Sequence, residues 1–201
     1  MMTTSYQENE YQKPIIQPKK FVLWGAIASM IMMFAGLTSA YIVRKAQGNW
    51  VLFKMPDIFW ISTIVIIISS ITLYLAERSF KQENIKMYRL SLGITFVLAV
   101  VFLVCQYLGW KQMGEYGIHL KGNPSGSFLY VISGLHALHL VGGLFFILIM
   151  FVKSFFLHPV KLLIDTLNPE RYLNIELLST YWHFVDILWI YLFIFFLINS
   201  L

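Results

Sequence analysis

The chain has 201 residues, 58% hydrophobic and 12% charged, with a formal net charge of +5. A soluble globular domain carries about 25% charged residues, so a water-facing surface all round is excluded and a membrane protein is indicated. The basic residues lie between apolar runs rather than in a stripe with exposed aromatics, which sets nucleic acid aside, and a single cysteine, Cys105, allows no internal disulfide or thiolate cluster.

Residues 1–20 are polar, include Pro14 and Pro18, and show no apolar signal-peptide core, so they read as a tail before a retained membrane helix. Residues 21–201 read as one transmembrane domain. The first apolar run, about 21–43, carries Gly25, Ala28, Gly36 and Ala40, small residues that let helix backbones approach. A turn region with Gly48, Asn49 and Pro56 leads to the second run, about 58–76, which holds Ser69, Ser70 and Thr72. A short charged connection precedes the third run, about 90–110. A glycine-rich connection with Asn123 and Pro124 precedes the fourth, about 127–152, which contains His136, His139, Gly142 and Gly143. The longest connection holds Pro159 and Pro169, and the fifth run covers about 177–201. Each run approaches or exceeds the roughly 20 helical residues that cross a bilayer core, and none alternates as barrel strands do. The expectation is an all-α polytopic membrane protein with five transmembrane helices in a bundle. Trp24, Trp50, Trp60, Tyr107 and Trp110 lie near predicted boundaries, where aromatic rings favour the headgroup region.

Orientation follows from lysine and arginine. Lys13, Lys19, Lys20, Arg78, Lys81, Lys86, Arg89, Lys153, Lys161 and Arg171 fall on one side, against Arg44, Lys45, Lys54, Lys111 and Lys121 on the other. Ten against five places the N-terminus inside and the C-terminus outside.

Polar groups at depth are few. His136 and His139 are three positions apart, which places them on one helix face that points into the subunit or toward a partner. Imidazoles invite a haem or metal reading. Counted from the predicted helix ends, however, His183 and the nearer of these two histidines differ in depth by roughly 10 Å at 1.5 Å per residue, too much for two axial ligands of one haem. In the fifth run His183 and Asp186 are also three apart, close enough to reach each other, with Glu176 two turns below on the same face. Packing and helix-pinning outweigh proton transfer for this set.

Several motifs together resemble subunit 3 of the haem–copper oxidases, the cytochrome c and quinol oxidases of aerobic respiration. They are YWHFVDILW at 181–189, preceded by Glu176, and GSFLYVISGLHALHLVGG at 126–143. ISSITLYLA at 68–76, FAGLTSAY at 34–41 and Gln106 add to them. The resemblance covers about 21–201 and is to the short bacterial form, which lacks the first two of seven helices. It departs at Met30 and Gly109, where the family often has glutamates, so no role of those carboxylates carries over. The resemblance implies an accessory, non-catalytic subunit in the bacterial inner membrane, bracing catalytic subunit 1 beside subunit 2 and supporting proton uptake. It implies no cofactor in this chain, haem and copper in the partner subunits, and bound phospholipid as a further occupant. His136, His139, Glu176, Trp182, His183 and Asp186 are then buried polar signature residues, not catalytic or metal-binding ones. The alternatives are the accessory five-helix protein of a nitric oxide reductase, a haem-binding or quinone-reactive enzyme using His136, His139 and His183, and a small transporter.

Overall fold

The computed structural model describes residues 18–48, 50, 55–120, 122–155 and 169–200, with backbone alone for 169–172. The expectations for the tail up to residue 17, for Asn49, Lys54, Lys121, Pro159 and Lys161, and for residue 201 lie outside these residues, as does the Arg171 side chain. Five helices form: α1 (Pro18–Ala46), α2 (Ile58–Lys81), α3 (Ile85–Glu115), α4 (Pro124–Phe155) and α5 (Pro169–Ser200). All five are long and apolar enough to cross a membrane, and no strand occurs among the described residues.

Four of the five helices run to between 29 and 32 residues, well past the apolar runs. At 1.5 Å per residue these span about 44–48 Å, against a hydrocarbon core of about 30 Å. The extra turns carry Lys19, Lys20, Arg44, Lys45, Lys86, Arg89 and Lys153. Their long side chains reach the headgroup layer, so charge does not end the helix where it ends the apolar run. Capping fixes two of the starts. The Asn84 side chain accepts from the Met87 backbone N–H at 3.2 Å. Asn123 accepts from the Ser125 backbone N–H at 3.0 Å, just ahead of Pro124 at the first helical position.

Helices α2, α3, α4 and α5 form a closed ring in which each packs on its two neighbours, and α1 lies outside that ring against α4 and α5. The core is aromatic: Phe59, Phe102, Trp182, Trp189 and Phe196 are all buried. Only a narrow face of α1, formed by Ile27, Met30, Phe34, Thr38 and Tyr41, is buried. Polar bonds to the parallel helix α5 supplement that face at three depths. Lys20 donates to Glu176 at 2.7 Å, the Thr38 and Tyr191 hydroxyls lie 3.1 Å apart, and Lys45 Nζ donates to the Asn199 carbonyl oxygen at 2.9 Å.

The small residues divide. Gly143 is buried where α4 meets α5: a Cβ there would lie 2.9 Å from the Tyr181 ring and 3.0 Å from the Trp182 ring. Gly25, Ala28, Gly36 and Ala40, expected at a helix contact, all face outward, and a Cβ added at Gly25 or Gly36 meets nothing within 4 Å. The reason is the bulk on the opposite face of α1. Phe34 and Tyr41 supply the apolar area that packs, which turns the small stripe away. Among the boundary aromatics, Trp24, Trp60 and Tyr107 are exposed to the surroundings. Trp110 turns inward and donates to Ser133 at 3.0 Å, while Trp50 packs edge-on against Tyr41.

Candidate functional site

Several of the polar residues singled out in the sequence meet on the seam between α2 and α5. These helices are antiparallel, so the descending hydroxyls of α2 meet the ascending aromatics of α5 in register. Trp189 Nε1 donates to Thr63 Oγ1 at 3.1 Å, and Trp182 Nε1 donates to Ser69 Oγ at 3.2 Å. Ser70 Oγ and His183 Nδ1 lie 2.6 Å apart. Each of these three ring nitrogens finds an oxygen, as a low-dielectric interior requires.

His183 is therefore bonded across to α2 and not to Asp186. Both Asp186 oxygens are buried without a hydrogen-bond partner among the described residues, and the residue is only 3% exposed. Spacing alone suggested the intrahelical pair. The cross-helix hydroxyl takes its place because the α2–α5 contact sets Ser70 directly against the imidazole.

His136 and His139 also separate. A three-residue step turns a helix by 300°, so the pair straddles an edge and enters two interfaces. The His136 ring is fully buried, 5.2 Å from the Trp189 ring and 6.0 Å from Phe102, and neither ring nitrogen has a hydrogen-bond partner among the described residues. His139 is half-buried, 5.9 Å from the Phe34 ring of α1, with Nδ1 2.7 Å from the Leu135 carbonyl oxygen of its own helix. Its carbonyl oxygen accepts from the Tyr181 hydroxyl at 2.8 Å. Hydrogen bonding was the expected structural role for both imidazoles; aromatic packing takes that place at His136.

His139 and His183 lie closer in depth than the ends of the apolar runs indicate. Contact between Gly143 and Trp182 brings His139 to one turn, about 6 Å, above Trp182, so it sits within a few ångström of the depth of His183. The helices extend past the ends from which depth was counted, which shifts the baseline. Direction now separates the rings: His183 faces α2, His139 faces α1 and His136 faces α3 and α5. Among the described residues no group of three or more His, Cys, Asp or Glu side chains gathers in a metal-holding arrangement.

Glu176 sits at the end of the bundle that carries the start of α1, paired with Lys20, both side chains about one-third exposed. The sequence reading aligned it with His183 and missed Lys20. It also missed Thr38–Tyr191 and Lys45–Asn199, because each joins residues more than 150 positions apart. The adjacent serines of α2 and the adjacent Trp182 and His183 of α5 were the available signal, polar groups on apolar helices that need partners from a neighbouring helix. Gln106, noted for its family spacing, is 1% exposed, and its amide lies 3.4 Å from Ser62 Oγ.

What these residues make is an interior cross-linked by hydrogen bonds between helices. The model of the family "Cytochrome c oxidase subunit III" matches residues 20–200. The chain belongs to that family. A probable cytochrome c oxidase subunit 3 of Mycobacterium bovis is 29% identical over 181 residues, with 86% of this chain and 82% of that protein aligned. The cytochrome c oxidase subunit 3 of Corynebacterium diphtheriae is 28% identical, covering 84% of this chain and 82% of its own length. That of Bacillus sp. (strain PS3) is 26% identical, covering 85% and 80%. As a member of the subunit III family the chain is an accessory, non-catalytic subunit of an aerobic haem–copper oxidase, a multi-pass membrane protein in a multisubunit oxidoreductase. These matches favour the oxidase over the nitric oxide reductase reading.

This subunit III departs from the resemblance in a way the structure explains at one position. A Cβ at Gly109 would lie 2.7 Å from the Phe59 ring, which is 1% exposed. A glutamate cannot occupy that point while Phe59 keeps its place. At the other, Met30 is 6% exposed on the packed face of α1, where an apolar residue suits the contact.

Proposed function

We infer that this subunit braces the membrane flank of the oxidase's catalytic subunit, with subunit 2 as a further neighbour and with haem and copper held by those partners. The observation that carries this reading is the use made of its buried polar residues. Trp182, His183 and Trp189 are all spent on α2, and Glu176 on α1. Such bonds fix the helices relative to one another. A rigid neighbour limits movement and the exchange of water and lipid at the catalytic subunit's flank, which supports its proton uptake during turnover.

Residues 21–201 act as one transmembrane domain behind a polar tail. The N-terminus lies in the cytoplasm of a bacterial cell and the C-terminus on the outer side of its inner membrane, supported by the excess of lysine and arginine at one end. Cysteine labelling at Leu120, an exposed position on the connection between α3 and α4, in a Cys105→Ala background tests this; accessibility from the inside alone would reverse the orientation. A groove of about 520 Å³ between α1, α4 and α5, lined by Val22, Phe146, Met150 and Leu177 with Lys19, Lys153 and Asn174, is suited to the bound phospholipid expected of this subunit.

The bracing role is tested by comparing oxidase preparations with and without this chain, matched for haem content. Oxygen reduction starts at a similar rate in both and decays faster, or pumps fewer protons, where the chain is absent. An initial rate of zero with the haems fully loaded overturns the reading.

A further inference from the structure

Where α2, α3 and α4 meet inside the ring, two side chains carry unmet hydrogen-bonding capacity. Gln106 is 1% exposed and His136 has no exposed surface. Gln106 Oε1 and both His136 ring nitrogens have no hydrogen-bond partner among the described residues. The orientation of the amide is set by its neighbour on α2. Ser62 Oγ donates its one proton to the Phe59 carbonyl oxygen at 2.9 Å, so toward Gln106 it can only accept. It takes the Gln106 Nε2 proton at 3.4 Å, which leaves Oε1 on the side away from Ser62. That oxygen is a buried acceptor that lacks a donor.

The two residues lie at one depth. Antiparallel α3 and α4 are joined where Trp110 Nε1 donates to Ser133 Oγ at 3.0 Å. Gln106 is four positions before Trp110 and His136 three after Ser133, so both lie inward of that bond, by about 6 Å and about 4.5 Å. Their faces are linked as well. Gln106 follows Phe102 by one turn of α3, and the Phe102 ring centre is 6.0 Å from that of His136. A buried imidazole with no acid bonded to it is neutral, and it presents one N–H and one lone pair. It has the donor that Gln106 lacks, yet no direct bond joins the two. Bare polar groups in a low-dielectric interior are costly, and buried waters serve such groups through about three hydrogen bonds each.

We propose that one water molecule is bound at this junction and bridges Gln106 to His136. It accepts the His136 N–H and donates one proton to Gln106 Oε1. Its second proton goes to the lone pair that Ser62 Oγ keeps free, so that α2, α3 and α4 share one ligand. The donor set fits water: an amide oxygen, a hydroxyl and a single imidazole, without the carboxylates or thiolates that hold a cation in an apolar interior. The site rests on the packing of these three helices and not on the bracing role.

The test uses the full chain in lipid bilayers, its five histidines labelled with nitrogen-15, and solid-state NMR that transfers magnetisation from water protons to the imidazoles. The His136→Phe spectrum assigns the His136 signals. The expected result is one protonated and one bare ring nitrogen at His136, with transfer from water to the protonated one. Gln106→Leu abolishes that transfer while the other four histidines keep their signals. No transfer to His136, or transfer unchanged in Gln106→Leu, overturns the proposal. A second measurement needs no variant. A density map of the intact oxidase, at a resolution that shows waters, is expected to hold a peak within hydrogen-bond distance of both Gln106 Oε1 and a His136 ring nitrogen. A direct Gln106–His136 bond, or no peak, overturns the proposal. Oxidase activity is not the readout, so failure here leaves the bracing role standing, and the reverse also holds.

Discussion

Gly143→Ala puts the central contact of the bundle under a measurable load. The added Cβ would lie 2.9 Å from Tyr181 Cε1 and 3.0 Å from Trp182 Cε3 and Cζ3, where carbon pairs prefer about 3.5–4.0 Å. At least half an ångström must be found, and both rings are held. Trp182 has no exposed surface and donates to Ser69, while the Tyr181 hydroxyl donates to the His139 carbonyl oxygen. Overpacking of this kind costs about 1–3 kcal/mol. Loss of the indole bond as the ring tilts adds about 1 kcal/mol, for a total of about 2–4 kcal/mol. The control is Gly36→Ala on the outer face of α1, where a Cβ meets nothing within 4 Å. It is expected to be neutral, or stabilising by up to about 1 kcal/mol through helix propensity. Steric-trapping measurements of unfolding in bicelles give both values on one scale. Equal effects for the two substitutions would mean that the α4–α5 contact is looser than described, and the reasoning would fail.

Four further outcomes follow from named contacts. A double-mutant cycle on Lys20→Gln and Glu176→Gln yields a coupling of about 0–1 kcal/mol that shrinks with salt, because the pair is partly exposed; a coupling above about 2 kcal/mol would contradict that exposure. For His183→Phe and Asp186→Asn, coupling in unfolding free energy is smaller than that between His183 and Ser70, since no hydrogen bond joins the two side chains directly. By contrast, Ser70→Ala and His183→Phe couple by about 1 kcal/mol through the bond they share, and additivity there would remove Ser70 as the partner. Gly109→Glu prevents stable insertion into the bundle, read as loss of co-purification with the oxidase, because even the first carbon of the side chain collides with Phe59.

The five helices and their order were legible because an apolar run near 20 residues is the length a helix needs to cross a bilayer core, and water-soluble helices rarely stay apolar on every face for so long. Their ends were not, because lysine and arginine stop an apolar run without stopping a helix. Composition of a face proved a poor guide on α1. The glycines mark a surface that allows close approach, yet contact went to the side bearing Phe34 and Tyr41, where more apolar area is available. Spacing placed His183 beside Asp186 correctly along the helix but was silent on direction. Direction was decided by Ser70, 113 positions away in sequence. The unpartnered groups of His136 and Asp186 had no sequence signal at all, since partners are a property of neighbouring helices.

The three bonds that tie α1 to α5 also constrain the order of assembly. The ribosome makes α1 well before α5, and Lys20, Thr38 and Lys45 wait for partners 153 to 156 positions downstream. At about 5–20 residues per second, that wait is roughly 8–30 s. During it, the faces of α4 and α5 on which α1 packs are still incomplete. The earliest made of the five described helices thus waits for the latest of them before these bonds can form, and a truncation anywhere before α5 leaves it without any of the three.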